Sequence, residues 1–328
     1  MSFMRATRVL LVGAVLSLGG AACSSVATAA DLLPVKAPPP VASPWVFDVH
    51  GGFDINFQNT RVTGSGLLLY PTGSSLMQPS AGLKLDIYKD PNAFINSFSV
   101  YGGIWNESWL DAPRGTRKWT EMDWWGGFTV GFAKYWSLTA EHVEFLFPGG
   151  GSVYNYDFTL GFNDSSFWPI AFNPYVTVWY VAKGGPAVPL GEAHGTRFTF
   201  GVAPSVTPWK PIPLSFTFPT SITVADSKFW NRNDGTTNFC GVTNNLPCSL
   251  SDVGFVTTGI DAKYMLDAFI PKRLGSWYVK AGVHYFHIVN DALLANQTIF
   301  GGGTGVVTTF ANAKQDIFIF NGGTGFSF

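Results

Sequence analysis

Apolar and polar positions alternate along most of this chain. Over residues 46–58, Phe47, Val49, Phe53, Ile55 and Phe57 share one parity with Gly51, while Asp48, His50, Asp54, Asn56 and Gln58 share the other with Gly52. A period of two puts successive side chains on opposite faces of a strand, whereas a helix of period 3.6 would mix the two sets. The pattern returns where Tyr154, Tyr156, Phe158, Leu160 and Phe162 oppose Asn155, Asp157, Thr159 and Asn163. It returns again where Trp277, Val279, Ala281, Val283 and Tyr285 oppose Tyr278, Lys280 and His284. With 46–58, strands are predicted at 78–88, 97–109, 121–133, 136–147, 153–163, 174–184, 197–205, 212–224, 252–266, 276–289 and 315–328. That makes about twelve, most of them close to the roughly 9–11 residues of a tilted membrane strand.

An apolar face on nearly every strand needs a cover, and the chain offers no amphipathic helices to supply one. Lipid is the simpler cover. The expected fold is therefore all-β, a transmembrane antiparallel up-and-down β-barrel over 45–328. With a periplasmic N-terminus, the three longest connections (59–77, 225–251 and 290–314) all fall on the external side, as in barrels with long outer loops and short periplasmic turns. Tryptophans mark two expected interfacial girdles. Trp45, Trp136, Trp168, Trp209 and Trp277 lie near periplasmic strand ends, and Trp105, Trp109 and Trp119 near external ones.

Composition agrees. Only 12% of residues are charged while 16% are aromatic, against roughly 25% charged in a soluble domain. After residue 30 no apolar run approaches the roughly eighteen residues of a transmembrane helix. Residues 1–30 read as a signal peptide: Arg5 and Arg8 precede the apolar stretch Val9–Gly20, and Ala27-Thr28-Ala29-Ala30 offers small residues for cleavage. Lipidation at Cys23 competes, but Gly20 stands where a branched apolar residue is wanted. Without Arg5 and Arg8 the mature chain has 18 basic and 21 acidic residues, a net charge of −3, which gives no electrostatic case for nucleic acid. Residues 31–44 form a Pro-rich periplasmic leader. Cys240 and Cys248, exported to an oxidising compartment, are expected to form one disulfide.

Three short stretches resemble known families. Asp31-Leu32-Leu33-Pro34-Val35-Lys36-Ala37-Pro38 resembles the mature start of alphaproteobacterial outer-membrane barrels. The chain end, with Phe318, Phe320, Phe326 and Phe328 on one parity, looks like the C-terminal signature of bacterial outer-membrane barrels. That likeness implies the barrel-assembly machinery as a partner through the strand ending at Phe328. Glu121-Met122-Asp123-Trp124-Trp125-Gly126-Gly127, taken with Phe145-Leu146-Phe147-Pro148-Gly149-Gly150, is similar to a stretch of the TorF-type porins. Together these imply export, outer-membrane localisation, and lipid and lipopolysaccharide as surroundings.

The polar parity gives the candidate pore lining: Asp48, His50, Asp54, Lys84, Asp86, Glu107, Asp123, Asp157, Arg197, Asp261, Lys263, Lys280 and His284. Such residues tune passage through a hydrated barrel, although each also serves simply to solvate or salt-bridge the interior. Gly52, Gly103, Gly127, Gly161, Gly201 and Gly282 share the inward parity and are expected to leave room for water. Around Glu141, His142 and Glu144 the apolar face changes parity, which predicts a β-bulge. No Ser motif accompanies the five histidines, and the glycine run Gly301-Gly302-Gly303-Thr304-Gly305 lacks a following Lys, so an enzyme, a cofactor and a metal site are not expected. The expected function is a porin-like passive channel for small hydrophilic solutes. A plugged structural or surface-interaction barrel is the alternative, and a barrel enzyme acting on envelope lipid a second one.

Overall fold

The computed structural model describes residues 43–64, 66, 68, 70, 73–114, 117–148, 151–183, 195–209, 212–225, 227–230, 249, 251–294 and 314–328. The signal segment, most of the leader, and both Cys240 and Cys248 lie outside the described residues. The strands are β1 (Trp45–Gln58), β2 (Leu76–Lys89), β3 (Ile95–Trp109), β4 (Trp119–Phe132), β5 (Trp136–Phe147), β6 (Gly151–Phe162) and β7 (Tyr175–Lys183). They continue with β8 (Gly195–Val202), β9 (Ser205–Val206), β10 (Leu214–Thr217), β11 (Thr220–Ala225), β12 (Val253–Met265), β13 (Ser276–Ile288) and β14 (Asp316–Ser327). Every pairing is antiparallel, and β14 pairs with β1, so the sheet closes on itself and has no free edge.

Fourteen segments make twelve wall strands. Phe216↔Val206 and Thr220↔Val202 keep one register, so β9 continues β8 and β11 continues β10. The interruptions fall at Pro204 and Pro219, which lack the N–H that a ladder bond needs. Their carbonyls still accept, from Phe218 N and Gly259 N, both at 2.9 Å. The single strand predicted at 212–224 is thus broken by proline chemistry without any change in the count.

The two faces of the wall differ. Outward lie Phe47, Val49, Phe53, Phe57, Leu83, Ile104, Phe128, Leu138, Phe158, Phe198, Phe200, Phe318 and Phe320, all exposed. At one end the connections are short, and Trp45, Trp136, Trp168 and Trp209 stand exposed beside them, as an interfacial girdle requires. At the loop end Trp119 and Trp124 are exposed, but Trp105 and Trp109 turn into the barrel, against Arg61 and Tyr70 respectively. They belong to the interior and not to the expected girdle.

The bulge expected at Glu141–Glu144 is absent. The β4–β5 and β5–β6 registers run unbroken from Met122↔Leu146 and Leu146↔Ser152 to Phe132↔Trp136 and Trp136↔Phe162. Alternation persists, and it is the interior that changes character. Val143 and Val153 point inward and are buried. His142 points outward among Trp124, Tyr154 and Tyr156, at 5.0–5.7 Å between ring centroids. Real register shifts occur elsewhere, for example between Glu107 and Ser108 on β3.

Candidate functional site

The interior is graded from end to end. At the short-turn end the expected lining residues are open. His50 and Lys84 both pair with Asp86, at 3.3 and 2.8 Å, with about half of each basic side chain still exposed. Asp48 is exposed in the same region. Further in, Asp54 accepts from Lys280 Nζ at 2.6 Å and Tyr278 Oη at 2.8 Å. These side chains reach across β14, which carries Gly323 and Gly325 at that point. A Cβ at Gly325 would meet Tyr278 Oη at 2.5 Å, so the glycine makes the bridge possible. Lys263 Nζ lies 3.9 Å above the Tyr278 ring, and His284 pairs with Asp261 at 2.9 Å.

Towards the loop end the interior closes. Asp157, Trp179 and Arg197 are register neighbours on β6, β7 and β8. Arg197 stacks 4.4 Å from the Trp179 ring and is 1% exposed. Two of the inward glycines, Gly103 and Gly201, face rings and not open space. A Cβ at Gly103 would strike the Trp125 ring, and one at Gly201 the Tyr175 ring, each at 2.5 Å. At these two positions aromatic neighbours fill the room that a missing side chain leaves.

The connection between β1 and β2 runs inward. Arg61 Nη1 donates to Glu107 Oε1 at 3.2 Å and to Glu121 Oε2, and Nη2 donates to Glu121 Oε1 at 3.3 Å. The guanidinium stacks 4.5 Å from the Trp105 ring. Tyr70 donates its hydroxyl to Glu107 Oε1 at 2.6 Å, and Gln78 Nε2 donates to Glu107 Oε2 at 2.9 Å. Burial alone would favour the neutral form of Arg61, but the carboxylates of Glu121 and Glu107 outweigh it and hold the group above its ordinary range. Burial, and then Glu107, push the Tyr70 phenol well up. Both side chains are therefore locked in the forms that make these bonds.

The same loop crosses to the opposite wall. A Cβ at Gly64 would lie 3.3 Å from Arg197 Nη2 and 3.6 Å from the Trp179 ring. Gly66 has φ +80°, and a Cβ there would lie 2.7 Å from Phe255 Cδ1 and 2.9 Å from Leu293 Cδ1. Leu68 joins a buried apolar cluster with Phe229 and Trp230 of α1 (Ser227–Trp230), Phe255, Ile288, Leu293, Ile317 and Ile319. Among the described residues this cluster and the Arg61 network together cross the lumen at the loop end.

Of the residues expected to line a pore, Glu107 and Asp123 are brought to the Arg61 network, Asp157 and Arg197 share one buried layer, and nearer the turn end His50 and Lys84 meet Asp86, Lys280 meets Asp54 and His284 meets Asp261, while Lys263 lies over the Tyr278 ring and Asp48 is exposed. Arg61, Tyr70, Gln78, Trp105 and Glu121 were not anticipated. Among the described residues no cluster of His, Cys, Asp and Glu has metal-holding geometry, and no helix is long and apolar enough to cross a membrane.

No protein-family model and no curated protein matches the sequence. Solved structures that resemble the chain include the NanC porin, with 9% identity over 84% of this chain and 98% of that one, at a TM-score of 0.41. The translocator domain of the autotransporter NalP from Neisseria meningitidis has 10% identity over 85% and 88%, at 0.35. The outer-membrane protein OprD from Pseudomonas aeruginosa has 10% identity over 88% and 95%, at 0.27.

Proposed function

We propose that this chain is an outer-membrane channel for small hydrophilic solutes whose passage is stoppered at its external end by its own first loop. The apolar outer wall, flanked by exposed tryptophans, supports the membrane setting. Twelve strands enclose more space than the eight whose interiors side chains just fill, which supports a passage. The observation that carries the reading is the course of loop 59–75. Its described residues reach from β1 to β7, β8 and β12, and between its two ends, where Asn59 N donates to Phe320 O and Ser75 O accepts from Leu110 N, the contacts with the wall are made by side chains and not by strand pairing. Such a segment can leave without opening the barrel.

A second reading, a permanently plugged barrel with a structural or surface-interaction role, is favoured by the size of the apolar cluster. Uptake in a Gram-negative host lacking its major porins separates the two. Wild-type protein should admit a small sugar slowly, and a variant with residues 62–72 replaced by a short Gly-Ser linker should admit it much faster. If the shortened barrel migrates as folded protein and admits none, the channel reading fails and the permanent plug stands.

A further inference from the structure

We propose that Glu107, Glu121 and Asp123 form a binding site for a small guanidinium-bearing solute, and that Arg61 occupies it as an internal stand-in. The proposal deepens the channel reading and rests on loop 59–75 being displaceable. The pocket already shows how it holds such a group. Two carboxylates receive the fork of one guanidinium, Glu121 from both terminal nitrogens and Glu107 from one of them. Trp105 offers a ring face 4.5 Å away. Planar forked donors match carboxylate pairs and stack on aromatic rings, which a compact ammonium does not do. Glu107 is further fixed by Gln78 of the neighbouring wall strand β2, so this acceptor stays oriented when the loop, with Tyr70, leaves.

Charge points the same way. Three carboxylates converge here, and one cation is supplied. Asp123 is 7% exposed and lies within hydrogen-bond reach of Glu121. The stand-in comes from a loop, while the acceptors belong to the rigid wall strands β3 and β4. A free guanidinium competes with Arg61 for the same fork, and by winning it releases the loop's polar anchor.

Agmatine, with citrulline as the control in which a neutral ureido group replaces the guanidinium, probes this in detergent-solubilised full-length protein by isothermal titration. Removing the internal competitor in Arg61→Ala, or in Arg61→Gln, which keeps a polar side chain, should tighten agmatine binding about tenfold or more over wild type. Citrulline should not bind. Adding Glu121→Gln should reverse the gain. In wild-type protein, millimolar agmatine should speed thermolysin cleavage of the loop at Leu67–Leu69, and citrulline should not; this arm applies even if neither Arg61 variant folds. The proposal is overturned if folded Arg61 variants bind agmatine no more tightly than wild type, if citrulline binds equally, or if agmatine leaves wild-type cleavage unchanged. Sugar permeation without agmatine binding would remove this site and leave the channel. Binding without permeation would do the reverse.

Discussion

At the scale of single residues, the closed mouth depends on two features of loop 59–75, a cation and a glycine. Arg61 is anchored by charge, and Gly66 lets the backbone approach Phe255 and Leu293 in a conformation that costs other residues roughly 1–2 kcal/mol. Gly66→Val adds that strain to direct overlap with two buried side chains. Its expected effect is to lift the loop off the apolar cluster while the barrel stays folded, read as faster swelling of proteoliposomes in a small sugar. Unchanged swelling by folded Gly66→Val would mean that the loop does not control the mouth. The sequence disclosed these features unevenly. Glu107 and Asp123 were legible because strand parity put them inward. Arg61 and Tyr70 were not, because a loop has no period to read. One signal was present: Leu67-Leu68-Leu69-Tyr70 is an apolar run inside a supposedly solvated loop, and such a run needs an interior to enter.

At the scale of elements, alternation gave the strands and their number, and it failed where the interior ceased to be polar. On β5 the switch to Val143, Phe145 and Phe147 resembles a bulge only if inward residues must be hydrophilic. They need not be where the interior is packed, and Val143 and Val153 are both buried there, so the strand keeps its register and His142 is left on the outer face. A spin label at His142→Cys should therefore be relaxed by lipid-soluble oxygen more than by a water-soluble nickel complex. A label at Thr139→Cys, on the opposite parity, should show less preference for oxygen. The reverse result at position 142 would restore the bulge. The proline breaks at 204 and 219 were equally hidden, since a proline within an alternating segment does not reveal whether the register survives it.

At the scale of the whole molecule, the described lumen side chains are partly exposed at the short-turn end and buried at the loop end. Charged pairs give way along the lumen to a buried acidic network and then to an apolar cluster. The sequence showed the barrel, but not this gradient, because which connections fold inward is decided by tertiary packing. Once open, the passage should prefer cations mildly, since the acids around Arg61 outnumber the base that pairs with them. The central claim, a passage closed by a displaceable first loop, is tested most directly by single-channel recording in planar bilayers. Full-length protein should show brief, rare openings. The variant with residues 62–72 replaced by a short linker should conduct steadily, with a reversal potential under a salt gradient that favours cations. Steady conductance of the same size from both proteins would contradict it.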